Sequence, residues 1–315
     1  MSSRPVIHIP DDYPAVMGHS AAYAALLEQA DVRYWDTLPG ASLAERIHDA
    51  EIVINIRSSS RFTPELFAAC PRLKLLSIWG TGTDNVDLAA AAQHRVTVTN
   101  TPGVAAASIA EHCLLLTLAA ARRIVDVDAQ VRRGEWPRAQ GMQLRGKTLG
   151  VVGLGAIGRQ FAKLGEAIGM RVVTWTMHPK PERGFVHVEL EDLLRQSDVV
   201  SLHLRLSDQT AGMFGYPQFE MLKPAAILIN TARGGLVDEA ALVESLASGR
   251  LAAAGLDVFA VEPLPADSPL KKLPNVVLTP HCAGVTPETV EAGLQLAIAN
   301  VRSWIAGSPA HVVSR

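Results

Sequence analysis

The stretch from Lys147 to Thr176 constrains the fold of this chain more than any other segment. A short apolar run predicts a strand that leads into a turn with the pattern G-x-G-x-x-G, whose glycines are Gly153, Gly155 and Gly158. Apolar residues then recur at helical spacing, and a β-branched run from Arg171 to Thr176 predicts a second strand. In this strand–turn–helix–strand context, the glycine pattern indicates a dinucleotide-binding turn.

Access of the main chain to phosphate groups is the physical reason for the glycines. The first permits the tight turn, the second lets the backbone approach a pyrophosphate, and the third lets the helix lie close to the strand. The N–H groups at the start of the helix can then donate to phosphate oxygens. We therefore predict cofactor contacts at Gly153, Gly155, Ala156, Ile157 and Gly158. The alternative is a glycine-rich surface turn that binds no ligand.

The carboxylate that usually ends the second strand and binds the ribose 2′-hydroxyl of NAD is missing. Thr176 stands in its place, followed by His178 and Lys180. Without a carboxylate nothing repels a 2′-phosphate, and the two basic side chains could attract one. Thr176 could instead hydrogen-bond the ribose of NAD while Lys180 is merely solvated. The sequence therefore leaves both NAD and NADP open as the cofactor.

Length and composition agree with a two-domain α/β protein. The chain has 315 residues, of which 48% are apolar and 5% aromatic, and this length suits two domains of ordinary size. Short apolar strands alternate with helices on both sides of the glycine turn, which predicts parallel sheets with helices on both faces. The formal net charge of −2 offers no attraction to nucleic acid or to an anionic membrane, so we expect neither as a partner.

We expect a soluble, cytoplasmic protein that holds no metal. Cys70, Cys113 and Cys282 are too few and too scattered for a disulfide framework or a zinc site. The N-terminal sequence lacks the long apolar stretch of a signal peptide. The most apolar segment, Cys113 to Ala121, is far too short to span a bilayer.

Three polar side chains follow predicted strands in the second half of the chain, and their chemistry suits hydride transfer between a nicotinamide and a 2-keto or 2-hydroxy acid. They are Arg233, Glu262 and His281. The carboxyl ends of the strands line the ligand crevice of an open α/β sheet, so we expect all three to face the cofactor. Singly, each has an ordinary structural explanation: a surface ion pair, a turn residue or a structural histidine.

Each of the three has a defined task in such a reaction. An imidazole can supply the proton that moves with the hydride near neutral pH, which makes His281 the candidate acid–base group. Glu262 would bond the other ring nitrogen and fix the tautomer. The planar guanidinium of Arg233 would bind the substrate carboxylate and polarise the carbonyl. The loop from Trp79 to Thr83 follows a predicted strand of the first domain and could present backbone N–H groups to the same carboxylate.

Several segments, in this order along the chain, resemble the D-isomer-specific 2-hydroxyacid dehydrogenase family. The resemblance extends from Arg57 to His281 and includes the glycine turn. The other segments are Gly80–Asp87 (GTGTDNVD), Thr99–Gly103 (TNTPG), Ser108–Glu111 (SIAE), Asn230–Gly234 (NTARG), Leu256–Phe259 (LDVF), Glu262–Pro265 (EPLP) and Thr279–His281 (TPH).

The resemblance assigns roles to individual residues. It implies that Arg233, Glu262 and His281 form the catalytic set and that Asp257 binds the nicotinamide carboxamide. The substrate-binding residues that follow from it are Arg57, Trp79, Gly80, Thr81 and Gly82. The further cofactor contacts are Thr176, His203, Leu204, Arg205, Thr231, Ala232, Ala283 and Gly284. Arg205 departs from the family, because many members carry a proline there, and it could contact a 2′-phosphate or the adenine, or lie at the rim.

The resemblance also implies two Rossmann-like domains and a homodimer. The smaller, discontinuous substrate domain is expected to comprise residues 1–103 and 286–315, and the dinucleotide-binding domain residues 104–285. Members usually pair through the dinucleotide domain. Because the sequence ends at Arg315, we expect no additional regulatory domain.

These observations favour an NAD- or NADP-dependent D-2-hydroxyacid dehydrogenase that works as a 2-keto-acid reductase. The alternative is a dinucleotide-sensing, corepressor-like binding protein that needs no turnover. Glyoxylate, hydroxypyruvate, 3-phosphoglycerate and longer 2-keto acids all remain open as substrates. Arg57 and Arg61 would suit a second anionic group, although two surface arginines explain themselves equally well.

Overall fold

A computed structural model describes residues 4–13, 15–18, 20–37, 40–57, 59–138, 140–179 and 184–313 of the chain. Its contacts divide the chain into two compact units. Unit 1 comprises Met1–Ala105 and Val285–Arg315, and unit 2 comprises Ala106–Gly284. The sequence analysis places these boundaries at 103/104 and 285/286. Lys180 and Arg315, which it also mentions, lie outside the described residues.

Strands and helices alternate along most of the chain. The strands are β1 (Val6–Ile9), β2 (Asp31–Tyr34), β3 (Ile52–Asn55), β4 (Leu75–Ile78), β5 (Thr97–Thr99), β6 (Thr148–Val152), β7 (Arg171–Trp175), β8 (Val186–His187), β9 (Val199–Leu202), β10 (Ala226–Asn230), β11 (Leu251–Leu256) and β12 (Val276–Leu278). The helices are α1 (Ala21–Gln29), α2 (Leu43–Ile47), α3 (Pro64–Ala69), α4 (Leu88–Gln93), α5 (Ala106–Arg122), α6 (Ile124–Arg132), α7 (Ala156–Ala167), α8 (Leu190–Gln196), α9 (Tyr216–Met221), α10 (Glu239–Ala247) and α11 (Pro287–Ile305). Among the helices of the described residues, none is both long enough and apolar enough to cross a membrane.

Unit 1 is built around a parallel sheet that has five strands within the described residues, in the order β2-β1-β3-β4-β5. Every residue of β3 is buried. Because successive side chains of a strand point to opposite faces, Ile52 and Ile54 join one hydrophobic cluster and Val53 joins another. Both faces of the sheet are therefore covered, as the sequence predicts for a parallel sheet.

The C-terminal helix α11 belongs to unit 1 and covers one face of its sheet. Thr286 caps the helix by accepting a hydrogen bond from the N–H of Thr289, and Pro287 occupies the first turn. Leu294 and Ile298 are buried in the same cluster as the apolar residues of β1 and β3. The chain therefore returns to its first unit after completing the second.

Unit 2 contains a parallel sheet that has seven strands within the described residues, in the order β12-β11-β10-β9-β6-β7-β8. The interior strand β6 is buried at all five positions and pairs with β7 and β9. Its alternate residues again belong to two clusters, with Val152 in one and Leu149 and Val151 in the other. The predicted α/β class with two Rossmann-like sheets is confirmed.

Two short elements do not follow from the spacing of apolar residues in the sequence. Helix α4 begins behind Asp87, whose carboxylate accepts from the N–H of Ala90, so a capping signal was present in the sequence. Strand β8 has two residues, Val186 and His187, which pair with the edge of β7, and so short a run has no recognisable pattern. Helix α6 begins at Ile124, because Arg123 adopts a left-handed conformation with φ +52° that interrupts the helical run from α5.

Candidate active site

The glycine turn joins β6 to α7 and is shaped by close packing. Gly153 has φ +104°, and a Cβ atom on it would collide with the main-chain carbonyl of His203. A Cβ atom on Gly158 would overlap the carbonyl oxygen of Gly153. These two glycines are therefore required by the packing of the turn itself.

Gly155 is different, because nothing lies within 4 Å of the position that its Cβ would take. Its φ of −77° is accessible to any residue, and it is the N-cap of α7 without any side-chain cap for the helix. The first N–H groups of α7, which no side chain caps, therefore adjoin this open space. A cradle of this form, with a bare helix N-terminus, suits the pyrophosphate of a dinucleotide. The other predicted contacts belong to the turn and to the first turn of α7, namely Gly153, Ala156, Ile157 and Gly158.

Substitutions at Gly155 and Gly158 should separate ligand binding from folding. Gly158→Ala is expected to destabilise the protein by about 1–3 kcal/mol, because the backbone oxygen of Gly153 cannot move away easily. Gly155→Ala should leave the melting temperature unchanged yet raise the Kd of the dinucleotide about tenfold or more, because its methyl group enters the open cradle. Thermal melts and cofactor fluorescence titrations measure the two effects. Normal cofactor affinity of Gly155→Ala would show that no phosphate lies there.

The C-terminal ends of β7 and β9 carry the predicted ribose and adenine contacts. Thr176 is half-buried, whereas His178 and Arg205 are exposed. His203, just after β9, packs its ring against Phe161 with centroids 5.8 Å apart. Burial lowers the pKa of His203 to about 4, so this ring is neutral at physiological pH and is not a positive partner for phosphate. The same turn continues into the half-buried Leu204.

Glu262 and His281 meet in unit 2. Oε2 of Glu262 lies 2.7 Å from Nδ1 of His281, and the side chains are 33% and 34% exposed. Burial alone would raise the pKa of Glu262, but the hydrogen bond and charge of His281, the N–H of Phe259 and the charge of Arg233 lower it below its ordinary value. An ionised carboxylate only accepts hydrogen bonds, so Nδ1 of His281 is the donor. Nε2 then remains for proton exchange with a ligand.

Arg233 lies on the loop after β10, next to the segment that carries Glu262. Asn230 shapes this loop, because its side chain donates to the carbonyl of Arg233 at 2.9 Å and accepts from the N–H of Ala232 at 3.0 Å. A Cβ atom on Gly234 would overlap the backbone of Phe259, so the two loops are in direct contact. The half-buried guanidinium is thereby held close enough to influence Glu262 electrostatically.

Asp257 organises the turn that carries His281. Its side chain is 1% exposed and accepts from the Thr279 hydroxyl at 2.6 Å and from the N–H groups of Cys282 and Ala283 at 2.9 Å each. Its main-chain oxygen accepts from the N–H of His281 at 2.8 Å. The turn holds His281 in a left-handed conformation, with φ +54°, which non-glycine residues adopt only under such restraint. The sequence does not reveal this structural task, because the resemblance marks Asp257 only as a cofactor ligand.

The remaining predicted cofactor contacts are distributed over the same two loops of unit 2. Thr231 is buried, and its hydroxyl lies 3.1 Å from the sulfur of Cys113. Ala232 and Gly284 are half-buried, and Ala283 is buried. The loops that follow β10 and β12 thus carry these contacts together with Arg233 and His281, whereas Glu262 lies in the loop after β11.

Two residues near this turn had no assigned role. His112 and Cys282 lie together with Asp257, their potential ligand atoms all within 4.8 Å of one another, and no other such group occurs among the described residues. Both oxygens of Asp257 are already engaged in hydrogen bonds. Burial and the negative charge of Asp257 raise the pKa of Cys282, which keeps the thiol protonated. The arrangement is that of a hydrogen-bonded cluster.

The predicted substrate residues lie in unit 1. Arg57, just beyond β3, approaches the buried Asp12 at 3.7 Å. The indole of Trp79 lies against α11, where a Cβ atom on Gly293 would overlap it. The N–H of Gly80 donates to the Thr101 hydroxyl at 2.7 Å.

This hydrogen bond corrects one prediction about the loop after β4. The N–H of Gly80 is committed to Thr101, and the N–H of Trp79 donates to the carbonyl of Asn55 at 2.8 Å. The loop therefore cannot offer every successive N–H group to a ligand. Two residues of the loop keep N–H groups that we still predict to bind the substrate carboxylate. They are Thr81, which is exposed, and Gly82, which is half-buried.

Comparisons with known proteins match both units. A family model described as "D-isomer specific 2-hydroxyacid dehydrogenase, NAD binding domain" matches residues 114–283. A glyoxylate reductase of Aeropyrum pernix is 39% identical over 93% of this chain and 92% of its own length. The crystal structure of a glyoxylate reductase from Paecilomyes thermophila has a TM-score of 0.89 and 31% identity, and the match covers 99% of both chains.

A second kind of relative is matched over only part of its length. A D-3-phosphoglycerate dehydrogenase of Archaeoglobus fulgidus is 44% identical over 75% of this chain, but only 46% of that relative is covered. The chain thus spans about half the length of this dehydrogenase and nearly all of the two reductases.

Proposed function

Because the chain belongs to the family of D-isomer specific 2-hydroxyacid dehydrogenases, we propose that it reduces a small 2-keto acid to the D-2-hydroxy acid with a nicotinamide dinucleotide. Membership makes the chain an oxidoreductase that acts on CH–OH groups. The observation that carries the proposal is the 2.7 Å contact between Glu262 and Nδ1 of His281, in the unit that also contains the glycine turn. The comparisons give no support to a dinucleotide-sensing protein without turnover.

Proton transfer and substrate binding are assigned to different side chains of the site. The bound nicotinamide supplies the hydride. His281 donates a proton from Nε2 to the substrate oxygen, and Glu262 stabilises the imidazolium and keeps its proton on Nδ1. Arg233 binds the substrate carboxylate with a planar pair of N–H groups. We propose that Thr81 and Gly82 donate backbone N–H groups to the same carboxylate and that Arg57 adds positive charge.

A steady-state panel of 2-keto acids with NADH and NADPH tests this function. Glyoxylate comes first, because the Aeropyrum pernix and Paecilomyes thermophila relatives, both matched along nearly their full length, are named glyoxylate reductases. Hydroxypyruvate, 3-phosphohydroxypyruvate and longer 2-keto acids complete the panel. Turnover of glyoxylate to glycolate, or of any other keto acid of the panel to its D-2-hydroxy acid, supports the proposal. Tight dinucleotide binding without oxidation of either cofactor by any keto acid would favour the sensing alternative.

We further propose that the site accepts NADPH at least as well as NADH. The described residues that follow β7, Thr176 to Pro179, include no carboxylate to repel a 2′-phosphate. His178 and Arg205 are exposed beyond β7 and β9, and the ends of these parallel strands lie at the same edge of the sheet as the glycine turn. This open, basic rim is the support for the proposal.

An introduced carboxylate should reverse this cofactor choice. Thr176→Asp is expected to lower kcat/KM for NADPH about tenfold or more through repulsion of the 2′-phosphate, with little loss for NADH. Thr176→Asn is the control of similar size without the charge. Cofactor-dependent kinetics of both variants measure the effect. A wild-type enzyme with a sizeable preference for NADH would remove the basis of the NADP proposal.

A homodimer that pairs through unit 2 is proposed as the assembly. Helices α5 and α6 and the segment after them expose an unusual number of large apolar side chains. These are Leu115, Leu118, Ile124, Val125, Val131 and Trp136, and Trp136 is 84% exposed. Such an apolar surface usually marks a protein interface.

A charge placed on this surface should break the dimer. Leu118→Asp is expected to halve the molar mass seen by light scattering after gel filtration, because a desolvated carboxylate is costly in an interface. Leu27→Asp, at a similarly exposed leucine of α1 in unit 1, is the matched control and should remain dimeric. A wild-type monomer, or an unchanged mass for Leu118→Asp, would contradict the proposal.

A further inference from the structure

The turn that carries His281 is held by helix α5 as well as by Asp257. Ser108 on α5 donates its hydroxyl proton to the carbonyl of Ala283 at 2.9 Å. Nε2 of His112 lies 3.0 Å from the hydroxyl oxygen of Thr279. Residues four apart on a helix lie on the same face, so one face of α5 bonds both ends of the 279–283 turn. Ser108 opens the SIAE segment, to which the proposed chemistry assigns no task.

The hydrogen bonds around Thr279 determine which atom carries each proton. A hydroxyl has a single proton, and its 2.6 Å distance from Oδ1 of Asp257 is that of a charge-assisted bond to a carboxylate. The oxygen of Thr279 must therefore accept its bond from His112. It follows that Nε2 of His112 carries a proton. The side chain of His112 is only 14% exposed, so water competes little for this bond.

The chain of bonds continues from His112 to the acid–base group. Thr279 and the N–H groups of Cys282 and Ala283 bind the Asp257 carboxylate, and the N–H of His281 binds the main-chain oxygen of Asp257. These bonds flank His281 on both sides and hold its left-handed backbone. The direction of its imidazole toward Glu262 depends on that backbone conformation.

We propose that His112 is a positioning residue that, through Thr279 and Asp257 and with Ser108 one helical turn earlier, holds the imidazole of His281 in register with Glu262. This inference rests on the proposed function for its effect on turnover, but its effect on the His281 ring does not depend on any substrate. His112 touches none of the reacting atoms, and its contribution is the geometry of the turn.

The test compares four variants of the 315-residue chain. His112→Leu removes the N–H donor at similar volume, and His112→Gln keeps a donor at a comparable reach. Ser108→Ala removes the second bond from α5. Thr117→Val is the matched control, because Thr117 is equally part of α5, is buried, and bonds only within the helix in the contacts described, to the carbonyl of Cys113 at 2.6 Å.

Two readouts separate positioning from general stability. The ring ¹⁵N signals of His281, assigned with His281→Gln and recorded at alkaline pH, report which nitrogen carries the proton of the neutral ring. Wild type should hold it on Nδ1, whereas His112→Leu should distribute it over both nitrogens. Keto-acid turnover should show kcat lowered about 10–100-fold in His112→Leu, as for a small displacement of a catalytic group.

The other variants make the expected pattern specific. His112→Gln should recover most of kcat and the wild-type tautomer, and Ser108→Ala should show a smaller change in the same direction as His112→Leu. Thr117→Val should lower the melting temperature but keep both readouts. If His112→Leu fails to fold, the comparison of His112→Gln and Ser108→Ala with wild type still shows whether α5 positions the imidazole of His281.

Failure of the inference is distinguishable from failure of the proposed function. A wild-type tautomer in both His112→Leu and Ser108→Ala, with unchanged kcat, overturns the positioning role and leaves the reductase intact. Equal loss of kcat in His112→Leu and His112→Gln with the wild-type tautomer also overturns it. A wild-type protein that reduces no keto acid refutes the proposed function, while the ring signals still decide whether His112 positions His281.

Discussion

Replacement of His281 by alanine is expected to lower kcat for keto-acid reduction by about 10²–10⁴-fold, the usual contribution of a positioned acid–base group. The variant loses both the proton donor at Nε2 and the partner of Glu262, which lies 2.7 Å from Nδ1 in the wild-type site. The hydride-transfer partners stay in place, because the glycine turn is built from different residues. Stopped-flow and steady-state oxidation of NADPH or NADH measure the loss.

The specificity of this loss can be checked in two ways. The Kd of the dinucleotide should change little in His281→Ala, since the glycine turn, where we expect the phosphates to bind, lies elsewhere in unit 2. His187→Ala is a matched control, because His187 is exposed on the edge strand β8, and it should keep full activity. Near-normal turnover of His281→Ala would exclude His281 as the acid–base group and, with it, the proposed use of Glu262.

Substitution of Arg233 by lysine should lower kcat/KM by about 10–100-fold, which corresponds to the loss of one charge-assisted hydrogen bond. Lysine keeps the positive charge but cannot present two parallel N–H groups to a carboxylate. Both KM for the keto acid and kcat should suffer, because the same group binds the carboxylate and polarises the carbonyl. Initial-rate kinetics over a range of keto-acid concentrations separate the two parameters.

A second arginine in the same unit supplies the control for this substitution. Arg250 donates to the main-chain carbonyls of Glu220 and Leu222, so Arg250→Lys tests the cost of losing a guanidinium in a structural setting. That variant should lower stability without a change in KM. If Arg233→Lys and wild type have the same kinetic constants, Arg233 does not bind the substrate.

The dinucleotide unit was predictable because its determinants are local. Strand β6, the glycine turn, α7 and β7 occupy one continuous stretch, and each is marked by its own spacing of apolar residues or glycines. The distribution of apolar residues along the chain was also enough to predict the parallel α/β class, because buried strands such as β3 and β6 consist mainly of apolar residues. Helix α4 does not follow from the spacing of apolar residues, although Asp87 is a recognisable N-cap residue in the sequence.

The candidate acid–base residues were predictable in identity and only partly in arrangement. Each of Glu262 and His281 follows a strand, which indicates that both lie at the carboxyl edge of the sheet. Their separation by 19 residues along the chain fixes no distance, and the 2.7 Å contact follows from the turn that Asp257 holds. In unit 1, the hydrogen bond from Gly80 to Thr101 likewise limits which N–H groups of the loop after β4 can bind a ligand. The sequence shows only that this loop contains glycines.

The sequence by itself determined the fold class, the position of the glycine turn and the family to which the chain belongs. Only the tertiary structure decided that Asp257 clamps the His281 turn and that His112, 167 residues before Thr279, bonds to it. The spacing of apolar residues and glycines in a sequence identifies one helix or strand at a time and not the contacts between them. The order of the strands and the packing of α5 bring these distant groups together, and local spacing does not encode that order.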